Sequence, residues 1–372
     1  FVECNTSSTS TIQQSNNPTI PMQLLSGITI IDFTRLLPGP LATHLLAQMG
    51  AEVIKVESPK RKDYARSAGF KQIDGANPLF HQLNHNKELR EIDYNEAFGK
   101  AAILELAQNA DVLIEQFRPG AMESWGLGYE NLKEVNPGLI YVSITGYGQE
   151  GRYHQEAGHD FNYLAYSGIM SLIKDDQGKP VVPDTQFADI GGAYMAVIAL
   201  QGALLQKART GQGSYVDLAL CDSMLPFLAV PFGFHSEGYD YRMFNIINGK
   251  TAVNYAAYQC EDGKWLSVAA MEIKFWNQLC EAIDRLDWQR KHQLELMNIS
   301  FPKGEIESLF ATRPRDEWIE LLQGKDVCVA PILEIEELEV HPYHQEKASF
   351  ETIETPNGSE LRGISLPFRL RE

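Results

Sequence analysis

Gly158-His-Asp-Phe-Asn-Tyr163 sets an imidazole, a carboxylate and a carboxamide side by side at what reads as a helix start. An imidazole can give or take a proton, which makes His159 a candidate acid–base group. Asp160 is placed to cap that helix, which would aim the N–H groups of its first turn at a bound group and offer them to a developing oxyanion. Thirty residues on, Asp189 stands near the start of an apolar helix in Phe187-Ala-Asp-Ile-Gly-Gly192. Its apolar flanks imply desolvation, which raises a carboxyl pKa and suits a proton donor; its glycines allow close backbone approach. Glu272 precedes a helix over 273–283, where a cap is the plain reading.

Other chemistries lack their residues. The first strand–helix turn, Thr34-Arg-Leu-Leu-Pro-Gly-Pro40, is not GxGxxG, which disfavours a nicotinamide dinucleotide. Asn248-Gly-Lys-Thr251 imitates the end of a P-loop without its first glycine, and there is no HExxH and no GxSxG. The five cysteines, Cys4, Cys221, Cys260, Cys280 and Cys328, are scattered, so neither a disulfide scaffold nor a Cys-rich zinc site is expected, and no other metal site is. They read as buried reduced thiols of a cytoplasmic protein. A net charge of −17 argues against nucleic acid as a partner and means that an anionic ligand needs a local basic patch. Lys60-Arg-Lys-Asp-Tyr-Ala-Arg66 is the densest such cluster; it reads as a phosphate patch at a strand end or as a solvated loop.

The elements that must position these groups follow from the apolar pattern. Composition is ordinary for a globular chain, 44% hydrophobic and 22% charged in 372 residues, enough for two domains. No uncharged apolar run reaches 18 residues, which argues against a membrane span. Residues 1–21 are polar, lack a signal-peptide pattern, and read as a leader outside the fold. Strands are expected at 28–33, 52–57, 111–117 and 139–145, separated by helices at 38–49, 95–109 and 129–135, the pattern of βαβ units and a parallel sheet. Helices are then expected at 160–172 and 187–207, a strand at 214–220, and a hairpin turning at Glu261-Asp-Gly-Lys264. Three helices follow, at 273–283, 305–311 and 316–322, then an extended, turn-rich tail. The expected fold class is α/β: a large domain over 22–220, rejoined by 335–372, and a small α+β domain over 221–334.

Several of these stretches together resemble the class III CoA-transferase family. They include Gly50-Ala-Glu-Val-Ile-Lys-Val-Glu57, Asp111-Val-Leu-Ile-Glu-Gln-Phe-Arg-Pro-Gly120, Thr145-Gly-Tyr-Gly-Gln149, the 158–163 block, Gly211-Gln-Gly213 and Ala270-Met-Glu-Ile-Lys-Phe-Trp276. The block at His159 with its later aspartate resembles the alpha-methylacyl-CoA racemases of that family. The resemblance implies a Rossmann-like CoA-binding domain, an interlocked homodimer, acyl-CoA thioesters as substrates with no separate cofactor, and no membrane partner. It implies CoA contacts at Ile92, Asp93, Tyr94 and Asn95, at Gln116, Phe117 and Arg118, and at Gly158, Asp160, Phe161, Asn162 and Tyr163; the basic cluster adds Lys60 and Arg61, with Arg66, as candidates for the phosphates. His159 and Asp189 would be the catalytic pair and Glu272 the carboxylate that supports the histidine. The activity implied is racemisation at the α-carbon of 2-methylacyl-CoA; the alternative is CoA transfer between acids with Asp189 as nucleophile. Where such a racemase commonly carries arginine, this chain has Ser58 and Ser124. Asn248-Gly-Lys-Thr-Ala-Val253 and Ile273 replace other residues of the acyl side, and the transferase-type glycine loop is absent.

Overall fold

A computed structural model describes residues 23–67, 72–240, 252–291 and 303–369. The leader and the Asn248–Thr251 imitation of a P-loop lie outside the described residues. The chain divides into two compact units, one of Phe1–Met224 with Thr352–Glu372, the other of Leu225–Glu351.

The first unit is built on β1 (Thr29–Asp32), β2 (Glu52–Glu57), β3 (Glu88–Glu91), β4 (Val112–Glu115), β5 (Ile140–Thr145) and β6 (Ser214–Ala219). They form one sheet in the order β3-β2-β1-β4-β5-β6, with parallel pairing throughout. That is the Rossmann order, with its switch point between β1 and β4. β4 and β5 are buried along their whole length, as parallel strands covered on both faces must be. β3 went unread in the sequence because Glu-Leu-Arg-Glu is polar on both faces; it is an edge strand, where charge is tolerated.

The helices of this unit are α1 (Pro38–Gln48), α2 (Pro78–Asn84), α3 (Ala97–Asn109), α4 (Ala121–Ser124), α5 (Tyr129–Val135), α6 (Asp160–Tyr166) and α7 (Phe187–Thr210). Ile103 and Ala107 of α3 and Leu132 of α5 pack with Ile31, Leu113 and Tyr141 on one face. Successive strand residues alternate in direction, so Ile30, Val112 and Ile140 face the other way, toward α1 and α7, which pack on one another. The helix expected over 160–172 stops at Tyr166, because Gly168 turns left-handed (φ 90°) and only a short 3₁₀ turn follows. α7 is long and apolar enough to cross a membrane by length and composition; 44% of its apolar window is buried.

The second unit holds α8 (Ala229–Ser236), a sheet of β7 (Tyr255–Gln259), β8 (Trp265–Ala269) and β9 (Val329–Ile332), and α9 (Ile273–Ala282), α10 (Lys303–Phe310) and α11 (Arg315–Leu322). Trp276, Leu279, Phe310 and Trp318 form its core with Tyr258 and Leu266. The tail is more ordered than its turn-rich sequence suggests. It contains α12 (Ile335–Leu338), α13 (Pro342–Lys347) and the pair β10 (Phe350–Glu354) and β11 (Glu360–Ile364). β11 returns to the first unit, where its Ile364 and Arg362 carbonyls accept from the side-chain amides of Gln48 and Gln82. Cys260 and Cys280 are buried free thiols as expected; Cys328, also free, is exposed.

Candidate active site

A cavity of about 490 Å³ opens at the carboxyl ends of β1, β4 and β5, on the first unit's side of the switch point. Two loops make its floor. After β4, buried Glu115 folds back to accept the Phe117 N–H at 2.7 Å and the Ser143 hydroxyl. Burial pushes this carboxyl up to about 7. Gln116 Oε1 accepts the Gly39 N–H at 3.1 Å and so ties the β4 loop to the β1 loop. The β1 loop is itself held from beneath. Lys87 Nζ, fully buried, reaches Asp32 Oδ2 (3.1 Å), Thr43 Oγ1 (2.7 Å) and the Pro40 carbonyl (3.0 Å). Lys55 Nζ takes the Thr34 carbonyl at 2.7 Å and Asp63 at 3.1 Å. Sequence reading found none of this underpinning, because neither Lys55 within β2 nor Lys87 just before β3 carries a sign of burial in the sequence.

The wall comes from the 158–163 block. Tyr163 is buried, and its hydroxyl donates to the Gly158 carbonyl at 2.7 Å. A Cβ on Gly158 would stand 2.7 Å from the Tyr163 ring and one on Gly146 2.6 Å, so two glycines make the slot that the ring fills. His159 N–H donates to Asn162 Oδ1 at 3.1 Å, which closes the start of α6 with its own third residue. The expected cap is therefore corrected: His159, not Asp160, is the N-cap residue. With that helix end closed, the Asp160 carboxylate turns to the neighbouring helix and accepts the N–H groups of Ala188 (2.7 Å) and Asp189 (3.1 Å).

Asp189 stands in the first turn of α7 and lines the same cavity as His159. Burial pushes its carboxyl up to about 7, and the charge of Asp160 adds to the rise. A first-turn acid is normally favoured in its ionised form. Here Asp160 has taken the N–H groups that would have done this. The glycine reading is corrected in part: a Cβ on Gly192 would collide with Leu220, so this glycine serves helix–strand packing, and Leu220 then lines the cavity.

Gln116, Phe117, Arg118, Gly158, His159, Asn162, Tyr163 and Asp189 all border the cavity. The remaining expected contacts do not. Tyr94 is 4% exposed and packs its ring against Phe33, Phe117 and Trp125, and Ile92 packs on the same core. Asp93 accepts from the Asn95 N–H and side chain, and Phe161 is an exposed residue of α6. Lys60 and Arg66, two cations of the 60–66 cluster, have carboxylate partners in the fold. Lys60 pairs with Asp93 (2.8 Å) and Glu96 (3.3 Å), and Arg66 pairs with Glu57 (2.5 Å) over the face of Phe80. Glu272 belongs to the second unit, at the N-cap position of α9, exposed, and makes no side-chain capping bond.

His154 lines the cavity unforeseen by the sequence reading. Its Nδ1 donates to the Gly151 carbonyl at 2.7 Å, which leaves Nε2 as the nitrogen free to act. An imidazole five residues ahead of His159 in one loop was the available signal.

The chain is 31% identical to the human alpha-methylacyl-CoA racemase over 337 residues, 89% of this chain and 83% of that one. It is 32% identical to the succinyl-CoA:glutarate CoA-transferase of Mus musculus over 318 residues, 84% of this chain and 72% of that one. A solved structure of a CAIB/BAIF family protein from Brucella suis superposes with a TM-score of 0.79 at 29% identity, over 94% and 93% of the two chains. The model of CoA-transferase family III matches residues 25–372, and the chain belongs to that family of enzymes.

Proposed function

We propose that the protein racemises the α-carbon of 2-methylacyl-CoA thioesters by proton transfer through an enolate. The observation that carries this reading is that His159 and Asp189 border one cavity, with the Asp189 carboxyl held near 7. A thioester carbonyl accepts the charge left when its α-proton departs, so the acyl-CoA brings its own electron sink and needs no further cofactor. Inverting that carbon needs a base on one face and an acid on the other. Neutral His159 takes the proton while protonated Asp189 delivers one to the opposite face; the roles exchange in the reverse direction. Gln116, Phe117, Arg118 and Tyr163 are the bordering residues through which the CoA half would be held.

The homodimer and the cytoplasmic setting belong to the same proposal. Tyr194, Ile198 and Leu205 on α7 are 49%, 58% and 66% exposed, an apolar face that a second copy would cover. Light scattering should give twice the 41.8 kDa chain mass; a monomer at micromolar concentration would contradict it.

CoA transfer between carboxylic acids is the second reading, and the similar identity to a racemase (31%) and a CoA-transferase (32%) favours keeping it. There the Asp189 carboxylate attacks the thioester carbonyl and expels CoA thiolate; the thiolate attacks the Asp189 carbonyl of the resulting anhydride, releasing the donor acid and leaving an aspartyl-CoA thioester, from which the acceptor carboxylate takes the CoA by the same two steps in reverse. The test is His159→Ala. Racemisation predicts a loss of α-proton exchange by about 10²–10⁴-fold with CoA binding retained. Unchanged exchange in a folded variant would remove the racemase reading.

A further inference from the structure

The loop between β1 and α1 carries a cation that nothing in the fold neutralises. Arg35 Nη1 is buried and has no hydrogen-bond partner. Its guanidinium lies 5.2 Å from the centre of the Phe117 ring and 5.4 Å from that of Tyr64. Neither is an anion, and among the described residues Arg35 forms no ion pair. Asp63, whose field reaches it, is already held by Lys55 at 3.1 Å and by the N–H groups of Leu36 and Ala65 at 2.9 Å each. Burial depresses Arg35, and Arg61 lies close enough to depress it further by like-charge repulsion. Both arginines are hydrogen-bonded to the Tyr64 phenol, Arg61 the more strongly, and Arg61 has no carboxylate partner among the described residues. Two arginines thus share one neutral phenol. Holding like charges together, one of them half-buried, costs free energy that an anion between them would return.

We infer that Arg35, with Arg61, binds a phosphoryl group of the nucleotide half of a CoA thioester, in place of the arginine that the family resemblance leads one to expect at Ser58. The inference rests on the reading that the cavity takes CoA thioesters. Ser58 cannot serve: it is 1% exposed, and its hydroxyl and carbonyl are used within its own turn by Lys60 and Arg61 N–H groups. The other cations nearby are also occupied. Lys60 and Arg66 are paired with carboxylates, and Lys55 and Lys87 are buried beneath the loop. Arg35 also has the right neighbours. It stacks beside Phe117, which borders the cavity, and senses Tyr94, which belongs to the other segment assigned to CoA by resemblance. A planar guanidinium with free donors matches phosphate oxygens geometrically as well as in charge.

The experiment compares wild type and Arg35→Met for binding of CoA, of 3′-dephospho-CoA, and of an acyl-pantetheine thioester, which keeps the acyl arm and carries no phosphate. Loss of one charge-assisted phosphate contact should weaken CoA binding about ten- to hundredfold and leave the pantetheine thioester unchanged. If 3′-dephospho-CoA loses affinity as CoA does, the group held is the diphosphate; if it is indifferent to the variant, the group is the 3′-phosphate. Equal affinity of variant and wild type for CoA overturns the inference, as does equal weakening of CoA and pantetheine thioester, which would mark a structural role. Arg35→Lys provides a second variant that keeps the charge: it should bind CoA with intermediate affinity, and full wild-type loss of both probes there would also overturn the inference. Failure of the wild type to bind CoA at all would instead strike the proposed function.

Discussion

Asp160 Oδ1 accepts the backbone N–H of Asp189 at 3.1 Å, so one acid governs the charge of the other without touching its carboxyl. The contact removes a donor that would favour ionised Asp189 and adds a negative charge beside it. Asp160→Asn keeps an oxygen to accept the N–H bonds and removes the charge. The Asp189 carboxyl should then titrate lower, and the alkaline limb of the pH–rate profile should move toward acid. A limb that stays at about 7 would show that Asp160 acts only as a cap.

Asp189 itself should be a liability to folding. Its pKa rises from 3.8 in the unfolded chain to about 7 in the fold. The folded state therefore holds more protons, and stability declines as pH climbs from about 4 to 7. Asp189→Asn should stabilise the protein by about 1–3 kcal/mol at pH 8, partial solvation reducing the full effect, with no gain below pH 4. Urea denaturation at both pH values checks the sign; a destabilised variant at pH 8 would contradict the burial argument.

Gly158→Ala tests the slot for Tyr163. The added Cβ would stand 2.7 Å from the ring and 2.9 Å from the Tyr147 hydroxyl, so the ring must shift and lose its 2.7 Å bond to the Gly158 carbonyl. A cost of about 1–3 kcal/mol is expected, with activity reduced because His159 is the next residue. An unchanged melting temperature would mean that the wall yields freely.

Lys87→Met tests the support under the β1 loop. It would leave Asp32, fully buried, without its lysine partner. Stability should fall by about 3–5 kcal/mol, and the double variant Asp32→Asn/Lys87→Met should recover part of the loss. Additive losses would show that the two side chains do not act as a pair.

Much of this architecture was legible in the sequence because burial and type coincide there. Ile140–Thr145 is apolar, and a central parallel strand must be; Phe187–Thr210 is long and apolar, and it packs on both a helix and the sheet. Glu88–Glu91 was not legible, since edge position overrides polarity, nor was the order of the tail, which rests on side-chain amides reaching carbonyls hundreds of residues away. At the site, the sequence identified His159 and Asp189, whose neighbours carried the signal. It misread Asp160 because a carboxylate at a helix start can cap either its own helix or the next, and only packing chooses. The pairing of Lys60 with Asp93 and Glu96 was not legible, because it requires β2 and β3 to lie side by side.

The central claim is that His159 and Asp189 exchange a proton at an α-carbon. Incubating one enantiomer of a 2-methylacyl-CoA with the protein in D₂O and following the α-proton by NMR tests it most directly. The account predicts loss of the α-proton signal together with convergence on equal amounts of both enantiomers, and Asp189 recovered unmodified by mass spectrometry after hydroxylamine quench. Retention of the α-proton, with CoA appearing on added succinate or formate and Asp189 trapped as an acyl adduct, would contradict it.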